Sequence, residues 1–406
     1  MSRIEELIAE LCPDGVEYYQ LGELGKFYSG LTGKSKSDFV GGNAKFITYR
    51  NVYSNPALKL DIDDTVKIGV EEKQRTLEYG DVIFTGSSET EDECGMSSVL
   101  NIKTDEKLYL NSFCFIFRFD NPSIMLPDFS KHLFRSSNLR YQIGKTASGV
   151  TRYNVSKTLM EKVVVPVPPL EVQREIVRVL DSFTLLTAEL TAELTARKKQ
   201  YDFYRNKLLT FDVEIEYKSL EEIAVNRCTG GTPLKANRDF YEGGNIPWLR
   251  TQEVVYNEIK STECFITEEA VKKTSAKWIP VNCVIVAISG ASAGRCAINK
   301  IPLTTNQHCL NIEVNVNIVD YKYVYYCLCN QYEELVGKKE GARGDLSVAR
   351  IMSLKIPIPS LDSQKRIVAI LDRFDILCNN ISLGLPAEIE ARRKQYEYYR
   401  DKLLSF

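Results

Sequence analysis

Histidine is almost missing from this chain: of 406 residues only His132 and His308 carry an imidazole. That leaves little room for a histidine general base or a histidine-rich metal centre. His132 falls in a helical stretch and His308 in a strand-like one, so both read as packing residues. The eleven cysteines are odd in number and scattered, with no CxxC pair, and Cys327-x-Cys329 is a poor metal spacing. Reduced thiols, mostly in cores, are the expectation. No apolar run approaches the roughly 20 residues that cross a bilayer. The opening MSRIEELIAELCPDG reads as an acidic amphipathic helix rather than a signal peptide, which makes the cytoplasm the expected location. An excess of positive charge is also lacking: 52 Lys and Arg stand against 54 Asp and Glu, a net charge of −2. That argues against coating nucleic acid by bulk electrostatics, although not against a local basic face or a partner that supplies the positive charge. No glycine-rich nucleotide fingerprint follows a strand. Gly33-Lys34-Ser35 imitates the end of a phosphate loop, but Tyr28 stands where that loop needs glycine. Arg343-Gly344-Asp345 reads as a loop rather than an adhesion tripeptide.

What is present is a long internal repeat. ARKKQYDFYRNKLLTF (Ala196 to Phe211) returns as ARRKQYEYYRDKLLSF (Ala391 to Phe406), with eleven of sixteen positions identical. Upstream, VPVPPLEVQREIVRVLDSF (Val165 to Phe183) is echoed by IPIPSLDSQKRIVAILDRF (Ile356 to Phe374). A period this long means two large, similar units. In the first copy Ile176, Leu180, Phe183, Thr187, Leu190, Leu194, Arg197, Tyr201, Tyr204, Leu208 and Phe211 follow alternating steps of four and three, a heptad seam. From Leu170 to Phe211 a continuous helix would be about 60 Å long. The second copy gives Ile367, Leu371, Phe374, Cys378 and Ile381, then Arg392, Tyr396, Tyr399, Leu403 and Phe406. Gly384-Leu385-Pro386 lies between, and should break the helix and restart it at Pro386. The offset between copies grows from 191 to 195 residues, so the second carries one extra turn.

The segments before the helices correspond too. Gly30-Leu31-Thr32-Gly33 matches Gly230-Gly231-Thr232-Pro233, Gly86-Ser87-Ser88 matches Gly290-Ala291-Ser292, and NSFCFIF (Asn111 to Phe117) matches NQHCLNI (Asn306 to Ile312). DVIFT and CVIVAI read as strands between turn-forming stretches, and Phe129 to Ile143 and Tyr321 to Val336 read as helices. The fold class expected is α+β: two similar globular α/β domains alternating with two long helices that pack as an antiparallel coiled coil, in a pseudo-two-fold repeat. The divisions expected are 1–168, with an N-terminal helix over 2–11; a first helix, 169–212; a second globe, 213–359; and a second helix, 360–406, broken near 384–386.

This pattern resembles the specificity subunit (HsdS) of type I restriction–modification enzymes over nearly the whole chain. The resemblance rests on PLEVQREIVRVLDSF and PSLDSQKRIVAILDRF, on RKKQYDFYR and RRKQYEYYR, on the tandem TAELTAEL of Thr187 to Leu194, and on GGTPLKANRDFYEGGNIPWLR, Gly230 to Arg250. It implies a non-catalytic subunit whose two globes are target recognition domains, each reading half of a split DNA sequence. The helices would act as a spacer and as the dock for two methyltransferase (HsdM) subunits, with restriction (HsdR) subunits joining. No cofactor is implied for this chain; S-adenosylmethionine would serve the methyltransferase subunits, and ATP with Mg the restriction subunits. The [ND]PP[FY] motif of amino-methylating enzymes is missing: Asn55-Pro56 and Asn121-Pro122 are followed by Ala57 and Ser123.

Reading bases needs polar and basic side chains on loops. In the first globe the candidates are Lys34, Lys36, Arg50, Asn51, Ser87, Ser88, Lys145, Thr146, Ser148 and Arg152. In the second they are Thr232, Lys235, Arg238, Arg250, Thr251, Gln252, Ser289, Ser292, Arg295, Lys338, Lys339 and Arg343. The basic runs Arg197 to Lys199 and Arg392 to Lys394 lie on the helices, suited to capping the helix pair, touching spacer phosphates or meeting a partner. The competing reading is a symmetric coiled-coil scaffold whose two globes bind protein ligands and carry no DNA specificity.

Overall fold

The computed structural model describes residues 3–211, 214–337, 345–380 and 382–406. Two compact units emerge: Met1–Thr191 together with Glu388–Phe406, and Ala192–Ala387. In the first, an antiparallel sheet runs in the order Gly25–Ser29, Cys114–Phe119, Val82–Thr85, Ser97–Val99. Beside it Ala44–Ile47 pairs antiparallel with Thr65–Val66 and parallel with Leu108–Leu110. The second unit repeats this plan. Its main sheet runs Ala224–Thr229, Cys309–Val314, Val284–Ala287, Cys296–Asn299, and Ile246–Leu249 again pairs parallel with Leu303–Thr305. A fifth strand there, Glu258–Ile259, lies parallel to Cys296–Asn299. The first unit keeps only a trace of it, the parallel bridge of Ala57 to Val99.

The central strands VIFT and VIVA are buried at every position, because both of their faces are covered. Side chains alternate across a strand. Val82 and Phe84 accordingly join the core that includes Ile176 and Leu180, whereas Ile83 joins a separate core with Ile47 and Leu110. Val284 and Val286 divide from Ile285 and Ala287 in the same way. The glycines opening GLTG and GGTP mark close backbone approach. A Cβ on Gly30 would meet the Asn111 carbonyl oxygen at 2.2 Å, and one on Gly230 the Thr305 carbonyl oxygen at 1.9 Å.

Two expected helices are each split in two. Pro127–Leu133 is followed by Ser137–Gly144, and Tyr321–Asn330 by Tyr332–Gly337. In the first case the Ser136 hydroxyl donates to the Leu133 carbonyl, closing the turn that ends the earlier helix. His308 lies in the turn before its strand rather than within it.

Leu170–Leu209 is one uninterrupted helix of 40 residues, free of glycine and proline. The other copy is two helices of 19 residues, Leu361–Asn379 and Leu385–Leu403. The break starts earlier than Gly384. Asn380 leaves helical geometry, and its side-chain oxygen accepts from the Ser382 and Leu383 amides, a local turn that competes with helix. Gly384 completes it, since a Cβ there would lie 2.3 Å from the Ile376 carbonyl oxygen. Pro386 then occupies the first turn of the new helix, where its missing N–H costs nothing. Ser2 and Ile381 lie outside the described residues.

Within each unit, part of the long helix packs against part of the other copy. In the second unit Tyr201 and Tyr204 both stack on Phe374, with centroids 6.0 and 5.7 Å away. In the first, Phe183 stacks on Tyr399 at 5.3 Å, the same pairing with the copies exchanged. The helices run antiparallel in each pair. In the first unit the carbonyl of Phe406 accepts from the Tyr18 hydroxyl, and Tyr18 pairs with Pro166, just ahead of the long helix's start.

Candidate nucleic-acid interface

In the first unit the structure sorts the ten candidates by what already holds them. Lys34 is spent: its ammonium pairs with Glu72 and donates to the Lys67 carbonyl. The hydrogen bond from Lys34 to the Glu72 carboxylate is the main reason the Glu72 pKa falls to about 2. Asn51 is buried, its amide exchanging hydrogen bonds with the backbone of Lys59. Thr146 is buried as well and donates to the Ile143 carbonyl at a helix end. Lys145 lies 3.9 Å from Glu91, and Ser88 donates to Glu93. Lys36, Arg50 and Ser148 are exposed.

Ser87 and Arg152, 65 residues apart in sequence, are brought together. The Arg152 guanidinium donates to the Ser87 hydroxyl from Nε at 3.2 Å and from Nη2 at 2.9 Å. A small sheet creates this meeting: Tyr153–Val155 pairs with Ser87–Ser88 on one side and Ala147–Ser148 on the other. Phe113 and Lys157 complete the place, and neither was among the candidates. Arg152 sits 5.5 Å from the centre of the exposed Phe113 ring. Lys157 donates to the Ser29 hydroxyl, and burial pushes its ammonium pKa down. Phe113 stands in the turn just ahead of the strand Cys114–Phe119.

The second unit's candidates are more dispersed. Arg250 is neutralised by Glu263 at 2.5 Å and Glu253 at 3.8 Å, and the Gln252 amide also reaches Glu263. The Thr251 hydroxyl accepts from Asn306, and Thr232 donates to Gln307. Arg238 lies 3.7 Å from Glu242. Lys235 is exposed; Ser289, Ser292 and Arg295 are half-buried. Lys338, Lys339 and Arg343 fall outside the described residues.

The helix residues follow the heptad pattern in their exposure. Ile176, Leu180 and Tyr201 are buried. Phe183, Thr187, Leu190, Leu194 and Arg197 are half-covered while their neighbours between Thr184 and Lys199 are exposed. Leu208 and Leu403 are half-buried, yet the fully covered residues are the next in line, Leu209 and Leu404. In the second copy Ile367, Leu371 and Cys378 are buried, Tyr396 is half-buried and Tyr399 lies at the exposed margin. The basic runs form pairs along their own helices, Arg197 with Glu193, Arg392 with Glu388 and Lys394 with Glu390.

Each helix copy is pinned to its globe by the same two side chains. Gln173, wholly buried, accepts from the Leu126 amide and donates to the Ile124 and Pro168 carbonyls, each at 2.8 Å. Gln364, also wholly buried, accepts from the Asp320 amide and donates to the Ile318 and Pro359 carbonyls. Two turns on, Asp181 accepts from His132 at 2.8 Å, and Asp372 accepts from the Tyr326 hydroxyl at 2.6 Å. His132 is therefore no ordinary apolar-core residue. Its other ring nitrogen lies 2.9 Å from the Tyr396 hydroxyl. Burial lowers its pKa, with the Asp181 bond opposing, so the neutral ring donates to Asp181 and accepts from Tyr396. No group of three or more His, Cys, Asp or Glu suited to a metal ion occurs among the described residues.

Comparison with known proteins gives one consistent result. The family described as type I restriction modification DNA specificity domain matches twice, over 13–197 and 212–391. The chain is 42% identical over 264 residues to the type I restriction enzyme EcoR124I/EcoR124II specificity subunit of Escherichia coli, which covers 62% of this chain and 65% of that one. It is 31% identical over 273 residues to a putative type I restriction enzyme specificity subunit of Haemophilus influenzae, covering 64% and 68%. The aligned part thus spans about two thirds of those relatives. Among solved structures, a chain from a type I R-M system studied for complex assembly and conformational transition has a TM-score of 0.67 at 17% identity, covering 97% of this chain and 98% of that one. The S subunit from M. genitalium has a TM-score of 0.55 at 14% identity, covering 96% and 97%. At these identities the structures speak for the fold alone.

Proposed function

The chain belongs to the type I restriction modification DNA specificity family, and from that premise we propose that it reads a split DNA target for a methyltransferase and restriction complex. The two globes, 1–168 and 213–359, are its target recognition domains, and each reads one half-site. The helices, 169–212 and 360–406, space the half-sites and dock two methyltransferase subunits, through which restriction subunits join. The subunit performs no chemistry itself. S-adenosylmethionine belongs to the methyltransferase subunits, and ATP with Mg to the restriction subunits, in the cytoplasm.

One observation carries this reading: the family match occurs once per repeat, and the repeats share a strand order while their polar loops differ. A duplicated frame with unlike loops suits a target of two unlike halves. The low net charge fits a subunit that meets DNA as part of a complex and contributes base contacts more than bulk attraction. The test is methylome sequencing of the native host against a deletion of this gene. Adenine methylation at one bipartite motif should vanish with the gene. Its persistence, or binding of the purified complex to all duplexes equally at moderate salt, overturns the reading and favours the protein-binding scaffold.

A further inference from the structure

We propose that Arg152, set in place by Ser87 and Phe113, is a base-reading residue of the first recognition domain and takes a guanine in the major groove. This rests on the DNA-reading function proposed above and adds which side chain reads.

Three observations converge. Arg152 and Lys157 share a groove that also includes Ser29, Ser87, Phe113 and Asn154, with no carboxylate in its lining. Two other grooves of the same unit contain Glu72 and Glu106, or Glu78. In a chain of net charge −2, a groove with two cations and no carboxylate is where a polyanion meets least repulsion. Second, among the described residues no Asp or Glu forms an ion pair with Arg152, whereas Arg118 is held by Asp81 and Glu78. The half-buried guanidinium of Arg135 is instead consumed by backbone carbonyls, including those of Ser97 and Val52. Third, Arg152 is oriented without being used up. Ser87 accepts from Nε and Nη2, on one side of the planar fork. The outer edge, with one Nη1 hydrogen and one Nη2 hydrogen side by side, remains for a planar acceptor pair. Guanine O6 and N7 are that pair, and a pre-set fork loses little freedom on meeting them.

The repeat adds a sequence argument. Arg152 stands four residues before Ser156, which caps the next helix. Arg343 stands four residues before Ser347, which caps the equivalent helix. Around them GVTRYNVS and GARGDLS otherwise share little.

The test pairs this chain, wild type or carrying Arg152→Ala, Arg152→Lys or Arg152→Gln, with its methyltransferase partner. The methylated motif and the salt dependence of DNA binding are read for each complex. The expected result is that every variant loses preference at one guanine of one half-site, by roughly 5- to 150-fold, with the other half-site and the spacing intact. Arg152→Lys should not restore it, because a point charge lacks the fork. An unchanged motif with uniformly weaker binding and a shallower salt slope, rescued by lysine, overturns the proposal and makes Arg152 a phosphate contact. An unchanged motif with unchanged affinity overturns it too. Failure of the wild-type complex to methylate any split motif would sink the DNA-reading function itself, a distinct outcome.

Discussion

Replacing Gln173 with leucine should loosen the joint between the first recognition domain and its helix more than any equally large change on the surface. Leucine has a similar volume and no hydrogen-bonding atoms. The wild-type side chain makes three hydrogen bonds of 2.8 Å, to the Leu126 amide and the Ile124 and Pro168 carbonyls, with none of its surface exposed. The substitution leaves those three backbone groups without their side-chain partner, each loss worth about 1–3 kcal/mol. Burial of the new apolar side chain offsets part of that, about 1.5–3 kcal/mol. The middle of these ranges leaves a net loss of about 4 kcal/mol for opening this joint. Native-state hydrogen exchange reads it locally: the Leu126 amide should exchange on the order of 1,000-fold faster. Gln364→Leu should do the same to the Asp320 amide. If Leu126 stayed protected in Gln173→Leu while the urea midpoint fell, glutamine would be acting as bulk packing. If neither moved, the pin would be no pin at all.

His132 gives a dependence on pH. Its pKa is held below 6.5 in the fold by burial, so unfolded chains bind a proton that folded ones refuse, and stability should fall as pH drops below about 6.5; His132→Tyr, copying Tyr326, should flatten the loss in urea midpoint between pH 7.5 and 5.5. Gly384→Ala should destabilise by about 1–3 kcal/mol, because the new methyl would meet the Ile376 and Leu377 carbonyl oxygens; a wild-type urea midpoint would refute the tight turn. Deleting Thr191 to Leu194 removes about 6 Å of helix, and should bring the methylated half-sites one or two base pairs closer while leaving their sequences unchanged; altered half-sites would mean that the helix is not a ruler.

The repeat, the heptad seam and the paired strands were legible because each leaves a period in the sequence. The Leu170–Leu209 helix needed only its spacing and the lack of glycine and proline. The break in its counterpart was legible only in part. Gly384 and Pro386 announce it, but the turn begins where the Asn380 side chain captures two amides, and asparagine alone gives no such signal. The candidate surface was harder still. Lys34 and Arg250 were as plausible as Arg152 until the fold brought Glu72 to one and Glu263 to the other. Charge neutralisation between residues 38 and 13 positions apart leaves no period to read.

The two pins change what the duplication means. Gln173 and Gln364 bind equivalent backbone groups, and Asp181 and Asp372 each receive a hydrogen bond from the globe. Yet the donor to Asp181 is a histidine and the donor to Asp372 a tyrosine. A helix residue whose hydrogen-bond partners are backbone atoms can stay fixed while the globe's side chains change around it, because the backbone path of the fold is all that it reads. The acceptor carboxylates tolerate any donor of similar reach. Such a joint lets a recognition domain diverge in its loops without re-fitting its attachment. On this account, exchanging a whole globe at Gln173 or Gln364 should disturb the fold less than removing the acceptor that both copies keep, as in Asp181→Ala or Asp372→Ala.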